Sequence, residues 1–385
     1  MPGIIALVPD AWGGPPMPRH QLLIRLAERM PVVWVDQASP WREHLRGPHR
    51  HPTDRGGSWG LSPPAAFHLY RPSRWLGEFY RPSWLVNAVR RTRLAHARAL
   101  LRDAGCTDAV LYLWRPAFVY ALAEGPWSLT LYHVDDEYSF SDTYAGIPDE
   151  EMQMLRGVDQ VIVHSSGLLE SKGGIHPLTE LIPNGVDFDA FATPHPEPED
   201  LAAIPRPRIG YAGIIKQQLD LGLVSRLAEE HPQWSFVMVG PVSHEERIGE
   251  AVSALRERPN VYFLGNKPVD RLPGYVQHLD VGILCYRIND YTNCIYPLKL
   301  HEYLAAGLPT VSTPIRTVSE HADVVRLAEG VEAWSRAIEA SLAPGARTPE
   351  AIAGRRERAR GHDWNRLAGR VHDLIVERLA ERKPL

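Results

Sequence analysis

Lys299 and Glu302 are the residues whose types and spacing most directly suggest ligand chemistry. They lie three positions apart in residues 296–311, which read YPLKLHEYLAAGLPTV. Residues three apart on a helix occupy neighbouring positions on one face. A lysine ammonium neutralises phosphate, whereas an ionised carboxylate only accepts hydrogen bonds and can take both hydroxyls of a ribose. The pair therefore predicts a nucleoside diphosphate site; the alternative is an ordinary Lys/Glu pair on an exposed helix.

The residues around this pair predict a short helix that follows a strand. Pro297 suits the first turn of a helix, where its missing N–H is not needed, and Gly307 suits a left-handed stop. An apolar strand is predicted just upstream at residues 281–285. In open α/β sheets, ligands bind beyond the carboxyl ends of strands, where free helix amides and the positive end of the helix dipole meet them. A diphosphate is therefore the expected ligand.

A second group of reactive side chains follows the apolar run at residues 129–134. The group consists of His133, Asp135, Asp136 and Glu137. Acidic side chains at the carboxyl end of a strand can act as a general base, accept substrate hydroxyls, or bind magnesium or manganese. We predict that these four residues are catalytic and position the acceptor or the sugar. The alternative from the residues alone is that the aspartates cap the following turn.

The elements that position both groups are predicted by alternating apolar strands and helical-period segments, which are typical of parallel α/β layers. In the first half, the predicted strands are residues 4–8, 32–35, 109–114, 129–134, 160–164 and 180–182. In the second half, they are residues 209–212, 235–239, 261–264, 281–285, 310–312 and 324–327. Helices are predicted at residues 19–30, 84–103, 149–156 and 166–171. The pattern predicts two Rossmann-like units in tandem.

The domain boundaries are predicted from proline content and helical periodicity. Residues 193–207 contain five prolines, which suit neither a helix nor a central strand, so we place the interdomain linker there. Apolar residues at helical spacing predict a terminal amphipathic helix over residues 363–385. The prediction is thus an N-terminal domain at residues 1–192 and a C-terminal domain at residues 208–362.

The composition restricts the class of protein and its partners. With 385 residues, 44% of them apolar and a net charge of −4, the chain has a globular composition and no basic field, which argues against nucleic acid as a partner. Three cysteines are too few for a disulfide framework or a cysteine zinc site, which indicates a reducing compartment. We find no run long enough to span a bilayer and no secretory leader. We expect a cytoplasmic protein, with the inner face of the plasma membrane as a candidate location.

Residues 67–102 combine arginine with aromatic side chains. They contain eight arginines and one glutamate, interleaved with six aromatic residues. Aromatic rings prefer the headgroup level of a bilayer and cations are attracted to anionic lipid, so the mixture predicts peripheral contact with an anionic membrane or a polyanionic acceptor. The alternative is a solvated arginine face whose aromatic rings point into the core.

Two motifs carry a resemblance to a known family. Residues 298–313 and the preceding proline, PLKLHEYLAAGLPTVST, resemble the donor-binding segment of GT-B glycosyltransferases of the family 4 kind, and residues 182–191, IPNGVDFDAF, resemble the signature that ends their N-terminal domain. The likeness extends over nearly the whole chain and is greatest to bacterial enzymes of surface-polysaccharide assembly of the teichuronic-acid type. It implies two Rossmann-like domains facing across a cleft, with a C-terminal helix crossing back to the N-domain.

The resemblance also implies roles for individual residues. Glu302 would hold the ribose of the donor, and Lys216, in an irregular form of the family's basic loop, would contact the diphosphate together with Lys299. The Gly13–Gly14 pair after the first strand would lie near the donor. Cys294 stands eight positions before Glu302, where the family has a glutamate that touches the transferred sugar. Further donor contacts are expected at Asn293, Cys294 and Ile295.

These observations together predict a hexosyltransferase-type glycosyltransferase that moves a sugar from a UDP-, GDP- or dTDP-linked donor to an acceptor hydroxyl in glycan or glycoconjugate biosynthesis. The acceptor is a glycan, a lipid-linked molecule or a small molecule. The resemblance implies retention of configuration and no metal or other cofactor. Two alternatives stay open: a non-catalytic nucleotide-sugar-binding scaffold, which Cys294 makes conceivable, and a sugar-nucleotide epimerase with the same architecture. The acidic cluster near Asp135 also resembles the metal motif of the GT-A fold, which has no second Rossmann-like unit.

Overall fold

A computed structural model describes residues 1–38, 61–140, 147–243 and 246–382. The chain divides into two compact units. The first unit comprises residues 1–183 together with 365–385, and the second comprises residues 184–364. Each unit contains one parallel sheet flanked by helices, so the predicted tandem of α/β units is confirmed.

The first unit is built on a seven-stranded parallel sheet with the strand order β3-β2-β1-β4-β5-β6-β7. Its strands are β1 (Pro2–Leu7), β2 (Val32–Val35), β3 (Phe67–Tyr70), β4 (Asp108–Leu113), β5 (Leu129–Val134), β6 (Gln160–Val163) and β7 (Thr179–Leu181). All residues of β2, β5 and β6 are buried, as expected for strands covered on both faces. The central strand β1 pairs with both β2 and β4, and Ile4 lies opposite Val32 on one side and Val110 on the other.

Helices of the first unit connect these strands. They are α1 (Pro18–Ala27), α2 (Ser83–Asp103), α3 (Asp149–Gly157) and α4 (Ser166–Lys172). Short 3-10 helices lie at Arg74–Leu76, Pro116–Glu124 and Tyr138–Phe140.

The second unit is built on a six-stranded parallel sheet with the strand order β10-β9-β8-β11-β12-β13. Its strands are β8 (Arg208–Ala212), β9 (Ser235–Val239), β10 (Val261–Gly265), β11 (Val281–Leu284), β12 (Thr310–Ser312) and β13 (Arg326–Leu327). In both sheets the order reverses beside the first strand, between β1 and β4 and between β8 and β11. Such a reversal opens a crevice at the carboxyl ends of the strands, where ligands of open α/β sheets bind.

Helices of the second unit are mostly short. They are α5 (Phe188–Ala192), α6 (Glu199–Ala202), α7 (Leu221–Glu230), α8 (Glu246–Arg256), α9 (Leu272–Gln277), α10 (Asp290–Cys294), α11 (Leu298–Ala306), α12 (Arg316–Ser319), α13 (Val331–Leu342) and α14 (Pro349–Arg360). Two 3-10 helices lie at Val269–Arg271 and Pro344–Arg347.

The last helix, α15 (Trp364–Arg382), begins in the second unit, and from Asn365 onward its residues belong to the first unit. Its apolar stripe is buried, with Val371 and Ile375 fully covered, which confirms the predicted amphipathic helix. Within the first unit, Arg378 on this helix donates a 2.9 Å hydrogen bond to the Gln160 side chain. The chain therefore returns to the first unit at its C-terminal end.

Residues 193–207 do not form the expected linker between the two units. They pack as part of the second unit, where Leu201 and Ile204 join its buried core. The backbone N–H of His195 also donates to the Gln277 side chain at 2.8 Å. The chain passes between the units at residues 183 and 184 instead, ten residues before the prolines. Proline content correctly excluded long helices and central strands here, but two apolar side chains were enough to bind the segment to a core.

Candidate functional site

The predicted donor helix exists in the second unit as α11. It begins at Leu298 directly after Pro297 and ends at Gly307, whose φ of 77° is the left-handed conformation expected of a glycine stop. Strand β11 ends at Leu284, and the short helix α10, which we did not predict, lies between that strand and α11. The sequence therefore places α11 in the connection that follows a central parallel strand, as predicted.

Gly213 makes room for the Lys299 side chain at the end of β8, and Gly240 makes room for the backbone of Gly213 at the end of β9. A Cβ atom at Gly213 would lie 1.8 Å from Cε of Lys299, and a Cβ at Gly240 would lie 2.1 Å from the carbonyl oxygen of Gly213. Both glycines have positive φ, 149° and 137°, so a side chain would also strain the backbone. The Lys299 side chain thus lies against closely packed backbone at the carboxyl ends of β8 and β9. Gly240 was missed from the sequence, because the strand it follows gave no sign of this contact.

Lys216, Lys299 and Glu302 form one electrostatic cluster. Burial lowers the pKa of Lys299, the nearby carboxylate of Glu302 partly offsets this, and the ammonium of Lys216 lowers that pKa further. Burial also raises the pKa of Glu302, which the charge of Lys299 partly offsets. The ammonium of Lys299 lies 5.5 Å from the centre of the Tyr211 ring. The structure therefore brings together the three charged residues that the sequence singled out.

This cluster is not neutralised by internal pairing. Within residues 184–243 and 246–364, no hydrogen bond or salt bridge engages the charged ends of Lys216, Lys299 or Glu302. All three residues are only partly buried, so a ligand can reach them. Two cationic groups beside one carboxylate match a diphosphate joined to a ribose.

Residues 293–295 have contacts that hold the local backbone. The side-chain oxygen of Asn293 accepts a 3.1 Å hydrogen bond from the backbone N–H of Arg316, and the carbonyl of Ile295 accepts one of 2.7 Å from the hydroxyl of Thr317. Both bonds tie the start of α12 to the loop before α11. Cys294 lies between them and is partly exposed. The expected contacts of residues 293–295 with a donor stay a prediction.

In the first unit, His133 is enclosed by aromatic side chains. Only 5% of it is exposed, its Nδ1 lies 2.9 Å from the hydroxyl of Tyr112, and its ring stacks on Trp114 with centroids 4.1 Å apart. Burial lowers the pKa of His133 well below its ordinary value, so the ring is neutral at physiological pH. Its catalytic role stays a prediction, and its observed contacts are those of a core residue.

Asp135 belongs to a buried ion network. Its carboxylate accepts hydrogen bonds from the guanidinium of Arg19 and from the hydroxyl of Tyr138, the latter at 2.5 Å. The same guanidinium pairs with Asp10, and Arg19 is 2% exposed. Arg19 and Asp10 were missed from the sequence, because Arg19 is 116 residues from Asp135.

Asp136 and Glu137 are also engaged within the protein. One carboxylate oxygen of Asp136 accepts a 2.9 Å hydrogen bond from the backbone N–H of Glu137, the next residue. Glu137 pairs at 2.9 Å with the fully buried ammonium of Lys172, which lies 2.6 Å from Glu151 on its other side. Burial opposes ionisation of Glu137, but Lys172 and hydrogen bonds from Ser139 outweigh it and hold the pKa of Glu137 below its ordinary value. Their catalytic role stays a prediction.

Gly13 and Gly14 lie in the turn between β1 and α1. The backbone N–H of Gly14 donates to the carbonyl of Ala11 at 2.9 Å, and the N–H of Trp12 donates to Asp36 at 3.0 Å. The turn is therefore ordered by its own bonds and by the end of β2. The predicted nearness of both glycines to a donor stays a prediction.

A cavity of about 350 Å³ lies at the carboxyl ends of β1 and β2. Arg90, Arg93 and Arg115 are among the residues that line it. Arg93 pairs with Glu78 at 2.7 Å, and the guanidinium of Arg90 lies 4.2 Å from the centre of the Tyr120 ring. Arg90 and Arg93 lie in the stretch 67–102 for which the sequence predicted an anionic partner, whereas Arg115 lies outside it and was missed.

Comparison with known proteins agrees with this architecture. The structure of the Anabaena protein Alr3699/HepE in complex with UDP and glucose has a TM-score of 0.69 and 15% identity, covering 98% of this chain and 100% of the other. The E. coli trehalose-6-phosphate protein bound with UDP-2-fluoro glucose has a TM-score of 0.70 and 12% identity, covering 100% of both chains. The fold is that of GT-B glycosyltransferases, as predicted.

The family match is confined to the second unit. Residues 206–343 match the family model described as Glycosyl transferases group 1. A curated relative, the putative teichuronic acid biosynthesis glycosyltransferase TuaH of Bacillus subtilis (strain 168), is 32% identical over 141 residues. That alignment covers 36% of this chain and 35% of the relative, so the chain matches about a third of that relative's length. The matched family domain includes Lys216, Lys299 and Glu302.

Proposed function

We propose that this protein is a glycosyltransferase that moves a sugar from a nucleotide diphosphate sugar to an acceptor hydroxyl in glycan or glycoconjugate biosynthesis. The observation that carries the proposal is the cluster of Lys216, Lys299 and Glu302, which lies in the glycosyl transferases group 1 domain and has no internal ion pair among the described residues. Structures with the same fold hold UDP with glucose or a UDP sugar, which favours UDP as the first donor to test.

In this proposal, each charged group has one task at the donor. The ammonium groups of Lys216 and Lys299 stabilise the diphosphate as negative charge develops on the leaving group. Glu302 accepts hydrogen bonds from the ribose hydroxyls, and the amides at the start of α11 add partial positive charge. With the leaving group stabilised by fixed cations, we propose that transfer proceeds without a metal ion. The resemblance to family 4 GT-B glycosyltransferases supports retention of configuration.

The donor assignment is tested by calorimetry with UDP on the parent chain and on Glu302→Ala. Charge-assisted hydrogen bonds contribute about 1.5 to 3 kcal/mol, so the variant should bind UDP at least about tenfold more weakly. Glu332→Ala is a matched control, because Glu332 is an exposed helical glutamate of the same unit. Unchanged affinity of Glu302→Ala for UDP would rule out the assigned role.

Turnover distinguishes transfer from the two alternatives. The parent chain should release UDP from a donor sugar slowly in buffer and faster with a suitable acceptor, in the presence of a chelator that removes divalent metals. A scaffold protein would bind the donor without releasing UDP, and an epimerase would convert the donor sugar without any acceptor. Either result would replace the transferase proposal.

We propose that the acceptor is membrane-associated and that the first unit contacts anionic lipid. Trp75, Tyr80 and Trp84 are 76%, 68% and 70% exposed and lie within ten residues of chain. Arg71, Arg74 and Arg81 in the same stretch are exposed as well, whereas Phe67 and Tyr70 are buried. The stretch therefore divides between the core and a surface of aromatic and cationic groups, the composition that suits a headgroup layer. No helix among the described residues has the length and apolarity that crossing a bilayer requires.

Vesicle sedimentation tests this contact. The parent chain should sediment with vesicles that contain phosphatidylglycerol, less so at high salt, and not with phosphatidylcholine alone. Replacing Trp75, Tyr80 and Trp84 together by serine should abolish sedimentation, whereas Val376→Ser, which changes an exposed apolar residue of α15, should not. Absence of binding at low salt would remove the proposed membrane contact without affecting the donor site.

The proposed location is the cytoplasmic side of that membrane, where nucleotide sugars would reach the second unit. Cys106 and Cys285 are buried thiols and Cys294 is a partly exposed one, in keeping with a reducing compartment. The cavity lined by Arg90, Arg93 and Arg115 is the proposed acceptor-binding region of the first unit, and Arg115→Ala should raise the acceptor KM more than the donor KM.

A further inference from the structure

Three histidines converge on one point in the second unit. His301 lies in α11, His321 follows α12, and His362 follows α14. One ring nitrogen of each can be chosen so that all three lie within 4.8 Å of one another. Because the ligands come from three separate segments, this arrangement is a product of the fold and not of local helical spacing.

Two of these rings have a buried nitrogen without a hydrogen-bond partner. His301 and His321 are 0% and 4% exposed, and in the described structure Nδ1 of each makes no hydrogen bond. Buried side-chain nitrogens of native proteins are nearly always paired, so two such atoms in one cluster indicate a missing partner. A neutral imidazole has one N–H group and one nitrogen with a lone pair, so each ring can offer a ligand atom.

Tyr296 selects which nitrogen of the other rings faces the cluster. Its hydroxyl oxygen lies 2.7 Å from Nε2 of His301 and 3.1 Å from Nδ1 of His362. A phenol oxygen can accept hydrogen bonds from both N–H groups. In that arrangement, Nδ1 of His301 carries the lone pair. Polar groups that bond the second nitrogen of a histidine in this way are typical outer partners of metal-bound imidazole.

We propose that His301, His321 and His362 bind a zinc ion, with water in the fourth position. Imidazole ligands suit a borderline transition metal, and zinc accepts a tetrahedral set of nitrogen and oxygen ligands. Zinc–nitrogen bonds of about 2.0 to 2.1 Å place ligand nitrogens about 3.3 Å apart, so the cluster must contract slightly on binding. This site does not include Lys216, Lys299 or Glu302, and it has no part in the metal-independent transfer proposed above.

The three rings differ in how far they must move. His301 and His321 are almost perpendicular, at 83° with centroids 5.2 Å apart, so the planes that hold their lone pairs cross and can share one ion. His301 and His362 are stacked at 3.8 Å, and two nearly parallel rings cannot both aim in-plane lone pairs at the same ion. The ring of His362 must therefore turn. It lies in the short connection between α14 and α15 and is only partly buried, so it can do so.

The neighbouring charges set the strength of the site. Arg358 acts on His301 and His321 and opposes a cation, but its guanidinium is paired with Asp323. Glu320 acts on His321 in the opposite sense. Bound zinc would connect α11, which carries Lys299 and Glu302, to the segments after α12 and α14. The expected consequence is a more rigid donor helix, with no change in the groups that contact the donor.

The test uses the full chain, stripped of metal with a chelator and titrated with cobalt and then zinc. We expect one cobalt per chain with the intense visible absorption of a tetrahedral site, displacement of cobalt by zinc, and a rise in Tm with zinc. His321→Ala and His362→Ala should each weaken zinc binding by at least about 100-fold, since loss of outer partners alone weakens metal sites by about 10- to 100-fold. His372→Ala, outside the cluster on α15, is the control.

Circular dichroism of each metal-free variant shows whether it folds, and the partly exposed His362 is the safer position. Absence of the tetrahedral cobalt spectrum, or zinc affinity that is unchanged in a folded His362→Ala, would overturn the proposal. UDP binding by the metal-free parent chain is measured in parallel. A failed zinc site with intact UDP binding would leave the proposed donor site standing.

Discussion

The carboxyl edges of the two sheets share one strand topology but differ in how their charged side chains are paired. In the first unit, Lys172 is fully buried between Glu137 and Glu151, and Arg19 is buried between two aspartates. In the second unit, the charged ends of Lys216 and Lys299 have no ion pair within the described residues. Buried charges need partners, whereas a binding site needs charges that a ligand can complete. The comparison supports the proposal that the unpaired charges of the second unit bind a ligand, while the buried pairs of the first unit stabilise its fold.

The largest effect should come from breaking the buried ion network of the first unit. Lys172→Met leaves two buried carboxylates without their cation, which should lower the free energy of unfolding by about 3 to 5 kcal/mol. Lys267→Met is the control, because Lys267 pairs with a half-exposed Asp200 and should lose at most about 1 kcal/mol. Urea unfolding measures both. Equal losses in the two variants would remove the distinction between the edges.

Removing the charge of Lys299 from the carboxyl edge of the second sheet should weaken UDP binding without lowering the free energy of unfolding. Lys299→Ala should weaken UDP binding at least about tenfold, since it deletes a charge-assisted hydrogen bond to phosphate. The same variant should be at least as stable as the parent, because a partly buried ammonium with a lowered pKa favours the unfolded state. Calorimetry and urea unfolding together check this. A destabilised Lys299→Ala with normal UDP affinity would show that the second edge is structural too.

The pH dependence of UDP binding should show whether Lys299 contacts the diphosphate. Because the pKa of Lys299 is lowered from its ordinary value of about 10.4, affinity should begin to fall below that pH as the ammonium loses its proton. Lys299→Arg keeps its charge at alkaline pH, so this variant should lose the alkaline decline. Calorimetric titrations from neutral to alkaline pH measure the difference. Identical pH profiles for parent and variant would argue against a role of Lys299 at the diphosphate.

The smallest effect is expected in the acid stability of the first unit. The folded pKa of Glu137 lies below the ordinary value of about 4.3, so its carboxylate stabilises the fold above that pH. This contribution is lost as the pH falls through the lowered value. Glu137→Gln should therefore flatten the acid limb of the unfolding free energy against pH. Parallel curves for parent and variant would mean that Glu137 is not coupled to folding.

Local pattern was sufficient to predict most of the fold. Four strands, among them β5 and β12, have the predicted bounds, because short apolar runs flanked by turn residues have few other solutions in an α/β protein. Strand β3 was missed, since Phe67–Tyr70 begins a stretch whose arginines and aromatics suggested a surface instead. The helix of Lys299 was predicted from Pro297, a local start signal, and Gly307, a local stop signal.

Long-range partners could not be predicted in the same way. Arg19 meets Asp135 across 116 residues of sequence, and no spacing rule connects them. The histidine cluster likewise joins three segments of the second unit. In the sequence, His301 therefore could not be distinguished from any other residue of its helix. The partners that engage the acidic run after β5, Arg19 and Lys172, could not be predicted for the same reason.

A crystal structure with bound UDP tests the central claim most directly. The diphosphate oxygens should lie within hydrogen-bond distance of the ammonium groups of Lys216 and Lys299, and the ribose hydroxyls should contact the carboxylate of Glu302. UDP bound at the first unit, or anywhere in the second unit away from these three side chains, would contradict the assignment of the donor site.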